Sequence, residues 1–247
     1  MKQYEAVIQT IEQLGGIATL NQINQNIFKI EDCVWNTKTP FASVRRIVQQ
    51  TKGIYKIRPG LYALELYRNI LEKNGIYPED SKNNDSKKVR DFNHTYYQGL
   101  LIEMGNLRSL DTFVPNQDKN KKFLTQPLGA ISTLERIPHF SFDNIVNRSS
   151  TIDVIWFNKN QLPHSFYEIE HSTDIQNSLL KFNDLQDFYA RMVIVADEKR
   201  RNEFVSKLNY AAFERLRRNK RVAFLSYESL NMQYQQEVLK QKFEFIV

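Results

Sequence analysis

Apolar positions recur at helical spacing three times in the first fifty residues. Tyr4, Val7, Ile8, Ile11 and Leu14 mark a first helix, and Gly15-Gly16 stops it. Leu20, Ile23 and Ile27 mark a second, with Thr19 placed to cap it. A loop through Cys33 and Trp35 leads to Thr39-Pro40, where threonine suits the N-cap and proline the first helical turn. The third stripe is Phe41, Val44, Ile47 and Val48. Residues 54–57 and 61–64 then flank Arg58-Pro59-Gly60, a pattern that predicts strand, turn, strand.

The pattern lapses at 78–91, PEDSKNNDSKKVRD, where Val89 is the one apolar side chain. This stretch reads as a linker (79–91) between a domain over 1–78 and another over 92–247, or as a long surface loop of one domain. From Phe92 the pattern restarts. Tyr96, Leu100, Leu101, Met104 and Leu107 predict a helix, and 111–115 a short strand. After an irregular stretch holding Pro127 and Pro138, two strands follow at 151–157 (TIDVIWF) and 165–170 (SFYEIE). A helix with Ile175, Leu179, Phe182, Leu185 and Phe188 inward precedes a strand at 191–196 (RMVIVA). A long basic helix over 198–218 and a strand at 221–227 close the pattern. The expected class is α/β, a mixed sheet flanked by helices, preceded by a small domain. Three helices and a hairpin make that small domain a winged helix-turn-helix, a DNA-binding form.

Composition removes other classes. At 41% hydrophobic residues the 247-residue chain can bury a core, so a disordered polyelectrolyte is excluded. No apolar run spans a bilayer, and Glu5 and Glu12 interrupt what would be a secretory leader, so no membrane partner and a cytoplasmic location are expected. A lone Cys33 provides neither a disulfide framework nor a Cys-based zinc site. Without a GxxxxGK or GxGxxG loop, no small-molecule cofactor is expected.

The net charge of +6 is mild, but ten basic and six acidic side chains precede Glu79, so most of the surplus sits on the first domain. Opposite the apolar stripe of the third helix lie Ala42, Ser43, Arg46, Gln49 and Gln50, with Arg45 on a flank. Small residues permit close approach to a major groove, and Arg or Gln read base edges. Lys52, Lys56 and Arg58 stand near the hairpin, where phosphates would be met. An ordinary solvated helix produces the same face.

Three acids run against propensity. Asp153 interrupts one β-branched, aromatic strand, and Glu168 and Glu170 interrupt the next. Alternation puts Glu168 and Glu170 on one strand face. If the strands pair with these faces aligned, three carboxylates converge, and a hard divalent cation, Mg²⁺ or Mn²⁺, would offset their repulsion. Three solvated acids on an exposed sheet fit the spacing equally well.

Two resemblances bear on that choice. LGGIATLNQI, TPFASVRRIVQQ and IYKIRPGLYAL resemble the winged HARE-HTH family over roughly the first 65 residues. Asp153, fourteen intervening residues and Glu168-Ile169-Glu170 resemble the core of the PD-(D/E)XK nuclease superfamily. Ile152 stands where that family often has Pro, and Glu170 where it usually has Lys. The resemblance implies a restriction-endonuclease-like fold, with Asp153 and Glu168 as metal ligands, and Glu170 binding a second metal or taking the proton of the attacking water. It also offers Glu103 as either a fourth acid or a solvated helix acid, and Lys181 as either a displaced lysine or a surface salt-bridge partner. His171 is read as structural or loop-borne, and His94, His139 and His164 as too scattered for a metal cluster. Lys199, Arg200, Arg201, Lys207, Arg215, Arg217, Arg218, Lys220 and Arg221 would supply phosphate contacts or a solvated helix end. The function so implied is a type II restriction endonuclease that cuts double-stranded DNA as a homodimer after reading a sequence or a base modification. A non-catalytic DNA-binding regulator on a degenerate nuclease fold is the alternative.

Overall fold

The computed structural model describes residues 1–78, 86–171 and 174–240. The chain divides into two units, Met1–Phe92 with residues from Asn231 onward, and Asn93–Leu230.

The first unit holds α1 (Gln3–Gln13), β1 (Ile17–Thr19), α2 (Leu20–Asn26), α3 (Pro40–Gln50), β2 (Ile54–Arg58), β3 (Leu61–Leu64) and α4 (Arg68–Lys73). The helical stripes do what their spacing predicts: Val7, Ile11, Leu20, Ile23, Ile27, Val44 and Val48 share one buried core. Gly16 takes a left-handed φ of +83°, and a Cβ there would lie 2.2 Å from the Tyr67 ring, so glycine is required on both counts. Thr19 caps α2 as expected, in a reciprocal capping box with Gln22. Pro40 opens α3, but Thr39 makes no side-chain cap; its ψ of 66° departs from the extended backbone usual at an N-cap. Strand β1 is not legible in the sequence, because Ile17-Ala18-Thr19 is three residues buried on both faces and shows no alternation. It adds antiparallel to β3, so the hairpin becomes a sheet of order β1-β3-β2.

The expected linker lies outside the described residues over 79–85. Residues 87–91 are not loop but the start of α5 (Lys87–Leu107), where Lys and Arg are good helix formers and Val89 is buried.

In the second unit α5 is followed by β4 (Asp111–Phe113), a small hairpin of β5 (Lys122–Phe123) and β6 (Gln126–Pro127), then α6 (Leu128–Ile131) and α7 (Asp143–Ser149). Next come β7 (Val154–Phe157), β8 (Pro163–Glu170), α8 (Ile175–Asp184) and β9 (Arg191–Ala196). The described chain ends with α9 (Arg201–Leu208), α10 (Glu214–Arg218), β10 (Val222–Ser226) and α11 (Tyr227–Lys240). The mixed sheet has the order β10-β9-β8-β7-β4; β8, β9 and β10 are parallel, and β7 and β4 antiparallel to their neighbours.

The helix expected over 198–218 is broken. Tyr210 is extended, and a short 3-10 turn at Ala211–Phe213 carries Phe213 and Leu216 into the core, a burial one straight helix would not achieve. Helices α4, α6, α7 and α11 and the β5–β6 hairpin are additions to the expected order. Close approach seats α5 on the sheet: a Cβ on Gly105 would lie 2.8 Å from Trp156, and Trp156 Nε1 donates to Leu101 O at 2.9 Å. The opposite face carries Ile155, Phe157 and Phe166 against Ile175, Leu179 and Phe182 of α8.

Candidate active site

Val154 pairs with Tyr167 across the β7–β8 ladder, so alternation turns Asp153, Glu168 and Glu170 to the face that carries α8. The alignment on which convergence depends is therefore present. Asp153 itself is not in the strand. Ser149 and Arg148 carbonyls hold Ile152 and Thr151 in the turn leaving α7, and Asp153 occupies the bend just before β7. Glu168 and Glu170 are 3% and 4% exposed, which excludes the solvated-sheet alternative for that pair.

Buried carboxylates need partners. Lys181 Nζ donates to both Glu168 oxygens at 2.9 Å and to Thr151 O at 3.0 Å. Ser178 Oγ contacts Glu168 Oε2 at 2.9 Å and also Glu170 Oε1. Ser178 and Lys181 are three residues apart on α8, so one helix face serves both acids. Even so, burial pushes the Glu168 carboxyl up to about 8, with the Asp153 charge acting the same way and Lys181 and Ser178 opposing. Lys181 is thus a member of the site, not a surface salt-bridge partner.

Asp153 Oδ2 accepts the Ile169 N–H at 2.7 Å, and His94 Nε2 stands 3.3 Å from the same oxygen. Burial disfavours a charged His94, but its hydrogen bond to Asp153 and that residue's charge outweigh it, and its pKa is raised. One turn along α5, Gln98 Nε2 donates to Asp153 O at 3.2 Å and to Asp118 Oδ2 at 2.7 Å, while Lys121 lies 2.6 Å from Asp118 Oδ1. The sequence does not single out His94 or Gln98; their partner is more than fifty residues away, and no local spacing announces it. Glu103 does not join them. Nine residues past His94 at 100° each, it lies on the opposite side of α5. His171 follows the strand, with Nδ1 3.2 Å from the Tyr227 hydroxyl, a structural contact.

Among the described residues, no three His, Cys, Asp or Glu side chains stand together as a ready metal cage. The donor chemistry still fits Mg²⁺, which binds through one or two carboxylates and keeps its remaining waters. Asp153 meets the Ile169 N–H and His94 through Oδ2, and Glu168 is a buried carboxylate already facing a cation.

On α3, Arg45, Arg46, Gln49 and Gln50 are exposed and Ser43 is half-buried; Lys52 and Lys56 beyond the helix are exposed. Arg58 parts from this set. It is 7% exposed, its guanidinium 5.4 Å from the Phe92 ring centroid, so it serves the interior and not a phosphate. In the basic stretch, Arg200, Arg201, Lys207 and Arg215 pair with Glu203, Glu198, Asp174 and Asp187. Arg221 donates to Phe188 O at 2.6 Å. Much of that charge is already met within the protein.

The family model of the C-terminal domain of the type II restriction enzyme NmeDI matches residues 76–246. The type II restriction enzyme NmeDI of Neisseria meningitidis serogroup C is 36% identical over 81 residues, covering 31% of this chain and 23% of that protein. The aligned part is thus about a quarter of the curated relative's length. No solved structure matches. Among the described residues, no helix is long and apolar enough to cross a membrane.

Proposed function

Since the chain belongs to the family of the NmeDI C-terminal domain, we propose that it is a metal-dependent DNA endonuclease of the type II restriction class, with a PD-(D/E)XK-type site on β7 and β8. The observation that carries this is the convergence of Asp153 with a buried Glu168 whose charge the fold suppresses. Burying a carboxylate beside another is costly, and such arrangements concentrate at functional sites.

Asp153 and Glu168 would hold Mg²⁺ or Mn²⁺ here. A divalent cation supplies Lewis-acid polarisation of the scissile phosphate and a more acidic bound water. The chain's own side chains do the rest. The Ile169 N–H and His94 orient Asp153, Ser178 bridges Glu168 and Glu170, and Glu170 would bind a second metal or accept a proton from the attacking water. Lys181 supplies positive charge at Glu168, the place in the cluster that the missing strand lysine leaves vacant. The first unit, read as a winged helix, presents Ser43, Arg45, Arg46, Gln49 and Gln50 to bases and Lys52 and Lys56 to phosphates. A double-strand cut requires two such sites, hence a homodimer.

Incubating the full chain with Mg²⁺ and a varied duplex library tests this. Cleavage that EDTA and Asp153→Ala both abolish is expected; an uncut library, or cleavage indifferent to Asp153→Ala, sinks the reading. One observation favours the regulator instead: Lys181 already partners Glu168 without any metal. A regulator would bind DNA equally with and without Mg²⁺, and Glu168→Gln would leave that binding unchanged.

A further inference from the structure

Next to Thr151, whose carbonyl accepts from Lys181, lies a cleft of about 300 Å³, with Phe113, Pro115 and Ile137 as apolar walls and Asn116, Gln117 and Arg136 as polar groups. We propose that it takes one nucleotide of the DNA substrate with its base turned out of the stack; this rests on the nuclease reading above.

Three observations support it. The size suits the ligand: an apolar cavity of about 150 Å³ holds benzene, and ligand sites begin at roughly 300 Å³. The chemistry suits it too. Asn and Gln carboxamides both donate and accept, the requirement for pairing with a base edge. Arg136 is exposed, and among the described residues it has no acid partner, so a phosphate can take it.

The third observation is how the cleft is fixed. Asn116 and Gln117 belong to a turn closed by Asp118 N–H to Pro115 O at 2.9 Å. Asp118 is buried, and the Gln98 amide that holds it also holds the Asp153 carbonyl. Thr151, on the other wall, gives its carbonyl to Lys181. The cleft is therefore built at a set offset from Asp153 and Glu168, so a nucleotide seated there fixes which phosphate meets the carboxylates.

The test uses the full chain. Sequences cut from a random duplex library are recovered, and 2-aminopurine is placed in turn at each position flanking the cut, with Ca²⁺ replacing Mg²⁺. One position should brighten several-fold on binding, and Asn116→Ala/Gln117→Ala should remove that signal and relax sequence preference there by roughly tenfold or more, the value of one bidentate base contact. Arg136→Ala should weaken binding at every sequence. All three side chains are exposed, and unchanged melting temperatures would exclude misfolding. A library cut by the wild type, with no brightening position and the same preference in the double variant, overturns the cleft assignment alone. A library that stays uncut overturns the nuclease reading and the cleft with it.

Discussion

The acid cluster of β7, β8 and α8 and the outer face of α3 are built in opposite ways. In the first, Glu168 and Glu170 are buried, Asp153 and Lys181 are half-buried, and contacts are shared: Glu168 alone meets Lys181 twice and Ser178 once. On α3 the side chains of Arg45, Arg46, Gln49 and Gln50 are exposed. A site that must hold charge out of water needs neighbours to hold it, whereas a surface that meets a charged polymer needs only reach and sign. Mutation should therefore disturb stability and chemistry together in the cluster, and affinity alone on α3.

The largest effect belongs to Asp153→Asn, which should lower Mg²⁺-dependent cleavage by roughly 100- to 1,000-fold, the scale of one electrostatic interaction removed from a transition state. Turnover on the recovered recognition sequence measures it, and activity within tenfold of wild type would separate the cluster from catalysis. Next is Lys181→Met, which strands a buried carboxylate. A loss of about 3 kcal/mol is expected at pH 9, read by urea unfolding, with Glu168→Gln in the same chain recovering most of it.

Stability against pH isolates Glu168 further. Its carboxyl is raised in the folded state, so the folded form holds its proton more tightly than the unfolded chain does. That stability is fully present below about pH 4.5 and drains away as pH rises through about 8. Glu168→Gln should flatten the fall, and an unchanged slope in melting temperature against pH would remove Glu168 as its source. The smallest effect on the fold comes from α3. Arg46→Ala with Lys52→Ala should shift stability by less than about 0.5 kcal/mol, yet lower the salt slope of DNA binding by about 1 for each phosphate no longer neutralised.

The same contrast explains what is legible in the sequence. Burial writes itself into composition, so the strand at Arg191–Ala196 and the oddity of acids in SFYEIE can both be read in advance. The helical stripes of the first unit are legible for the same reason. Partners brought in by topology write nothing local: His94 reaches Asp153 from 59 positions away, and Lys181 reaches Glu168 from the next helix. Helix α11 does leave a trace, Leu230, Tyr234 and Val238 at spacing four, all buried, but its polar majority masks the stripe. Arg58 shows the converse error. A basic side chain next to a turn looks solvent-facing in sequence, yet this one stacks inside on Phe92.

Ser178 has one hydroxyl proton and stands between two carboxyl groups. It can donate to one of them only; the other contact is favourable when that carboxyl carries a proton of its own. A proton on Glu168, whose carboxyl burial raises, would satisfy that second contact. A cation that takes over these oxygens must evict that proton. Its apparent affinity then climbs with pH, by up to about tenfold per unit until the cluster is fully ionised, and calorimetry in buffers of different ionisation enthalpy would count the proton released.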